Sequence, residues 1–312
     1  MKGAIKRVPI PICGVILGFA ALGNLLQSYS EEVRYVCGII AGLMLILFIL
    51  KLIMFPKVIG EDLQNPIMAG VLCTLPMALM LLSTYVKPFI GDAAMYIWMF
   101  GILLHVVLIV FFTVRFVVKF KMPKVFASWF IVYVGIAVAA VSAPAFEQQG
   151  IGAITFWFGL VCLVLLLILV TVRYAKHKEI PAPAKPILCI YAAPASLCVA
   201  GYIQSVTPKS FELLMVIYIL ASLLYLFSLI KALGYLRLPF FPSYAAFTFP
   251  FVISAIASKQ TMACAANMGT PLPFLKYVVL VETIIAAAFV LYTFVRFMLF
   301  VFCTPKKTAA AQ

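Results

Sequence analysis

LMLILFILKLIMFPKVIGEDLQNPIMAGVLCTLPMALMLLST, Leu43–Thr84, joins two different apolar segments through one polar break. The first part is bulky, made of Leu, Ile, Met and Phe with a single lysine, Lys51. The last part, from Ile67, mixes Gly, Ala, Ser and Thr among larger residues and carries Pro76 in mid-run. Between them, PKVIGEDLQNP supplies the proline, glycine and charge that interrupt a helix. A membrane-crossing helix needs about 20 predominantly apolar residues. Two such runs with a break between them read as a pair of transmembrane helices.

The same grammar extends in both directions. Apolar stretches of spanning length fall near Ile10–Gln27, Val36–Phe55, Ile67–Tyr85, Ala93–Val117, Ala127–Phe146, Ile151–Tyr174, Pro186–Gln204, Leu213–Leu236, Tyr244–Asn267 and Phe274–Phe302. KPFIGD, KFKMPK, HKEIPAPAKP, PFFPS and NMGTPLP separate them. The chain is 66% hydrophobic and 10% charged, with mean hydropathy +1.19. A water-soluble domain is about a quarter charged, so this chain has too little polar surface to cover itself and lipid must solvate its exterior. The expectation is an all-α integral membrane protein of about ten transmembrane helices, forming one domain over 1–312. The first apolar run follows Lys2, Lys6 and Arg7 and could pass for a secretory signal, but no A-x-A-like site follows it, so it reads as the first helix. The eight cysteines are scattered through apolar runs without paired spacing, which points to neither disulfides nor a metal site.

Most of the 23 basic residues fall on alternate connections: Lys2, Lys6 and Arg7; Lys51 and Lys57; Arg115, Lys119, Lys121 and Lys124; Arg173, Lys176, Lys178 and Lys185; Lys231 and Arg237; and Arg296, Lys306 and Lys307. The other side holds Arg34, Lys87, Lys209 and Lys276. This asymmetry predicts a cytoplasmic-membrane protein with both termini in the cytoplasm and an even number of spans. It also accounts for the +14 net charge without nucleic acid.

Pro11, Pro76, Pro194 and Pro250 fall in alternate spans at multiples of roughly 60 residues, with the missing member near Tyr133 in WFIVYVGIAVAAVS. PICGVILGFAALG, PMALMLLST, YVGIAVAAVSA, PASLCVAGY and PFVISAIASK are rich in small residues, whereas LMLILFILKLIMF, HVVLIVFFTVRFVV and FGLVCLVLLLILVTV are bulky. Repeats near 1–60, 61–120, 121–180, 181–240 and 241–305 follow from that spacing. Small residues permit close helix approach or leave space beside the backbone, while bulky ones suit lipid. A proline inside a span removes a backbone bond and kinks the helix, so these four are expected to be the kinks of inner helices. Inner helices ringed by outer ones would enclose a central pore or pack solidly, and the pattern alone leaves both open.

PFFPSYAAFTFPFVISAIASK, Pro239–Lys259, resembles a segment of the tellurite-resistance/dicarboxylate-transporter family, whose plant branch is the guard-cell slow anion channel. The aromatic-Thr-Phe-Pro element is Phe247, Thr248, Phe249 and Pro250; IYAAPAS around Pro194 and the run from Trp129 to Ile136 fit as well. The resemblance implies five helical hairpins in a quasi-fivefold ring around a pore within each protomer, three protomers to an assembly. It implies that Phe249 occludes the pore, where a phenyl ring would act as a hydrophobic gate. Tyr133 stands where many relatives carry proline, so the third inner helix is expected to be straighter.

Lys259 lies inside a span and has three readings: a positive well for anions, a side chain reaching the headgroups, or the partner of Glu282 on the following helix. His105 reads as an inter-helix hydrogen-bonding group and His177 as a loop residue; Gly14 and Gly18 form a G-x-x-x-G packing element. No H-E-x-x-H, P-loop or G-x-S-x-G occurs, so no enzyme, cofactor or metal is expected. Two functions remain. One is a gated channel for small monovalent anions such as nitrate and chloride. The other is a secondary transporter of dicarboxylates or exporter of an oxyanion such as tellurite or sulfite.

Overall fold

The computed structural model describes residues 2–303, so Lys306 and Lys307 lie outside the described residues. Helix is the only regular secondary structure among them. The longer segments are α1 (Ile12–Leu26), α2 (Glu31–Met54), α3 (Pro66–Ile90), α4 (Ala93–Val117), α5 (128–146), α6 (Gln149–Lys176), α7 (Ala182–Ser205), α8 (Phe211–Tyr235), α9 (242–267) and α10 (Leu275–Cys303). Local chemistry sets many of the ends. Ser30, Asn65 and Ser210 accept the first free backbone N–H groups of α2, α3 and α8. Gly91, at φ 58°, ends α3 in a conformation that a side chain would oppose.

Seven segments are long and apolar enough to cross a membrane: α2, α3, α4, α6, α7, α8 and α10. The protein is therefore a multi-pass membrane protein. The remaining three expected spans differ for identifiable reasons. α1 is a 15-residue helix, α5 is interrupted, and the α-helical part of α9 is diluted by Ser, Lys and Gln.

The two classes of segment occupy different places. Only 22% of the most apolar stretch of α4 is buried, against 94% for α7. Leu43, Ile46 and Ile53 on α2 and Val161, Val164 and Ile168 on α6 face outward. Inside, α1 packs on α3, α3 on α5, α5 on α7, α7 on α9, and α9 returns to α1. α2 and α4 lie against α1 and α3; α6 straddles α5 and α7, α8 straddles α7 and α9, and α10 straddles α9 and α1.

The inner segments change winding partway across. A 3-10 stretch, Ala182–Ala192, precedes the α-helix Ala193–Ser205, and Pro242–Phe247 precedes Phe249–Asn267. α1 opens with i to i+3 bonds from Pro9, Ile10 and Pro11, and α3 breaks at Cys73 before Thr74–Ile90. Pro76, Pro194 and Pro250 thus sit in the first turn of an α-helix and Pro11 immediately before one. A proline there forfeits no intrahelical bond, and each of the four marks a junction where the winding changes. The third inner segment, where no proline stands, is interrupted all the same. α5 runs Ser128–Tyr133, then a 3-10 turn at Gly135–Ala137, then Val138–Ser142. At the break Ala137 N donates to Val134 O, a 3-10 bond, and beside it Thr113 Oγ1 of α4 lies 2.8 Å from the Tyr133 hydroxyl.

Candidate functional site

Two cavities lie along the inner segments. The one toward the basic connections includes Pro11, Thr74, Gly135, Ile190 and Phe249 in its wall. The other, toward the opposite end, includes Asn24, Leu81, Val141, Ile253 and Lys259. The centre of a water molecule can occupy about 60 Å³ of the first and about 320 Å³ of the second. Lys259 supplies the one ionisable side chain among the lining residues.

Leu197 and Phe249 line both cavities, and no other described residue does. They therefore form the partition. Winding explains how each reaches it. In a 3-10 helix every third side chain eclipses, which places Ile187, Ile190 and Ala193 of α7 in one row on the narrow cavity. Beyond Ala193 the α-helical period of 3.6 carries the row to Leu197. On α9, Ser243, Ala246 and Phe249 follow the threefold period, and Ile253, Ile256 and Gln260 continue it with α-helical spacing.

Phe249 is held inward by its neighbours. Phe247 and Phe251 turn the other way and meet Phe289 of α10, with ring centroids 5.6 and 4.7 Å apart. Thr248 Oγ1 donates to Gly14 O at 2.9 Å or to Ala245 O at 2.7 Å, tying the α9 junction to α1. The G-x-x-x-G element makes that approach possible. A Cβ on Gly18 would lie 2.6 Å from Thr248 Cβ, and one on Gly14 would lie 3.2 Å from Ala245 Cβ.

The structure does not bring Lys259 and Glu282 together. Lys259 Nζ donates to Leu25 O at 3.0 Å and to Ser28 Oγ at 2.5 Å, and lies 5.4 Å from the centre of the Tyr29 ring. Glu282 is buried on α10, one of its carboxylate oxygens has no hydrogen-bond partner among the described residues, and nearby the Ser258 hydroxyl of α9 lies 3.1 Å from that of Tyr218 of α8. The ion-pair reading is corrected on this geometry: α1 supplies the partners of the ammonium, and among the described residues no ion pair joins it to Glu282. His105 Nε2 lies 3.0 Å from Val132 O, joining α4 to α5.

Sequence reading did not single out Leu197, one leucine among many, whose position depends on the change of winding at Ala193. It also passed over Ser196 and Ser254, hidden in the small-residue runs that define the inner segments.

Residues 7–298 match the sequence model of a family described as SLAC1, voltage-dependent anion channel. No curated protein matches the chain.

Proposed function

The chain belongs to the SLAC1 family of voltage-dependent anion channels, and on that premise we propose a gated pore that passes small monovalent anions through each protomer. Anion transport follows from the family. The finer reading is a ten-span protomer whose five hairpin repeats set α1, α3, α5, α7 and α9 in a quasi-fivefold ring. Protomers assemble as trimers in the cytoplasmic membrane with both termini inside, and Phe249 forms the gate.

The observation that carries this reading is the shared position of Phe249 and Leu197 between two cavities. Two apolar side chains across a narrow passage exclude water, and an anion cannot shed its hydration there without replacement ligands. Removing the ring would join the cavities. The closed succession of contacts from α1 through α9 and back supports the ring.

The lining also bears on selectivity. A wall without charge in its narrow part cannot replace an anion's water shell, so anions that dehydrate easily pass more readily, nitrate before chloride. Lys259, at the wider cavity, adds a positive potential that concentrates anions near the gate. Dicarboxylate or oxyanion carriage has less support, because coupled transport calls for a titratable group on the pathway and the linings offer only Lys259.

Planar-bilayer recording of purified wild type beside Phe249→Ala, under chloride and then nitrate gradients, tests the reading. The expected result is a quiet wild type and large anion-selective currents from the variant. Silence from both, with folded and inserted protein, would overturn the channel and favour proton-coupled uptake of dicarboxylates.

A further inference from the structure

Arg115, Lys119, Lys121 and Lys124 converge on one surface cavity of about 720 Å³ at the basic end of α4. Two local features bring them together. The last turn of α4 is a π-helix, Thr113–Val117, closed by a bond of 3.0 Å from Val118 N to Thr113 O. The chain then doubles back through a 3-10 turn, Met122–Lys124, in which Lys124 N donates to Lys121 O at 2.9 Å. Gln64, from the start of the same repeat, accepts a hydrogen bond from Arg115 Nη2 and closes one wall.

These cations are exposed, and among the described residues none of them forms an ion pair. A topology signal alone requires only that positive charge lie on one side of the membrane. It does not require a concave arrangement or an apolar wall. Here the remaining wall includes Val110, Phe111 and Val114, which face outward on α4 just before Arg115. Phe120, itself exposed, meets the buried Trp129 edge to face at 6.3 Å, which anchors the turn that carries Lys119 and Lys121 to the body of the protein.

We propose that this cavity is a binding site for an anionic phospholipid. The phosphate sits among Arg115, Lys119, Lys121 and Lys124, and one acyl chain lies along Val110, Phe111 and Val114. Guanidinium and ammonium groups together suit a phosphate diester, the first as a planar donor pair and the second as mobile point charges. The apolar wall distinguishes a lipid from free phosphate, which would gain nothing from it. Basic pockets beside transmembrane helices are apt receptors for acidic headgroups.

Delipidated protein would be titrated with phosphatidylglycerol or phosphatidylcholine in micelles, and retained lipid counted by native mass spectrometry. Wild type is expected to prefer phosphatidylglycerol by about tenfold or more, with the preference lost when Arg115, Lys119, Lys121 and Lys124 are all changed to Gln. A control variant, Lys6→Gln with Lys57→Gln, Lys176→Gln and Lys178→Gln, removes equal charge from the same end and is expected to keep it. Equal loss in the control would overturn the site in favour of diffuse attraction, and no preference in wild type would overturn it outright. Competition by soluble glycerol phosphate as effective as by the lipid would reassign the site to a free anion. Disulfide cross-linking of two copies through Lys119→Cys, with no lipid retained, would reassign the face to an interface between protomers. If the combined variant does not fold, Lys119→Gln with Lys121→Gln, read by photo-crosslinking to an anionic lipid analogue, decides by the same criterion: crosslinking should fall at least several-fold relative to wild type.

Discussion

Ser196 Oγ lies 3.0 Å from Ser254 Oγ, and the two hydroxyls share the Ala192 carbonyl, at 2.8 and 3.2 Å. This joint ties α7 to α9 one residue from Leu197 and within two turns of Phe249. Both side chains are buried, and the joint competes with bonds inside each helix, from Ser254 Oγ to Pro250 O at 3.0 Å and from Ser196 Oγ to Ala192 O.

Ser196→Ala and Ser254→Ala should each lower stability by roughly 0.6 kcal/mol, the usual worth of such bonds between membrane helices. A double-mutant cycle on unfolding in micelles should give a coupling energy of the same size. A coupling indistinguishable from zero would show that the two helices are held by packing alone.

Leu197→Ala should raise anion current, though by less than Phe249→Ala, because the smaller side chain closes less of the passage. Leu197→Phe placed in the Phe249→Ala background should reduce the current again by restoring bulk from the other wall. Bilayer recordings at matched protein density would check both. A double variant that conducts as freely as Phe249→Ala would mean that Leu197 does not face the ring across the passage.

Lys259→Gln should lower conductance and anion selectivity at low salt, and the difference should fade as salt rises. Screening sets the scale: the Debye length shrinks from about 30 Å at 0.01 M to about 3 Å at 1 M. Conductance–concentration curves and reversal potentials would reveal this. A salt-independent loss would instead indicate that removing the amine's bonds to Leu25 and Ser28 deforms the wall. Exchanging Lys259 and Glu282 should not restore what either single reversal loses, since α1 supplies the partners of the ammonium.

Gly18→Ala should destabilise the fold by about 1–3 kcal/mol, because its Cβ would meet Thr248 at 2.6 Å and the junction of α9 cannot retreat freely. Gly60→Ala, where nothing lies within 4 Å, should be close to neutral. Thermal unfolding of the two variants in detergent would separate them. Equal midpoints would show that α1 and α9 accommodate the methyl by a small shift.

Much of this was open to reading because lipid imposes a simple code. Bulky runs such as LMLILFILKLIMF point to lipid along most of their length, with Met44, Phe48 and Lys51 turned inward, and small-residue runs such as PASLCVAGY point to the interior. The junctions were less legible. Proline marks a break but does not say whether the chain bends within a helix or changes winding before one. At Tyr133 the break had no proline to announce it. The partner of Lys259 was hidden for a related reason: Leu25 and Ser28 are distant in sequence, and one is a backbone carbonyl that no pattern of side chains reveals.

The change of winding in α9 has a mechanical consequence. A 3-10 helix advances about 120° and 2.0 Å per residue, an α-helix about 100° and 1.5 Å. Rewinding a single turn of Pro242–Phe247 into α form would rotate everything beyond it by roughly 60° and draw it along the axis by roughly 1.5 Å. Phe249 is the first residue of that moving part. Torsion of the backbone can therefore swing the ring aside while its own rotamer stays fixed, like a key turning with its shaft.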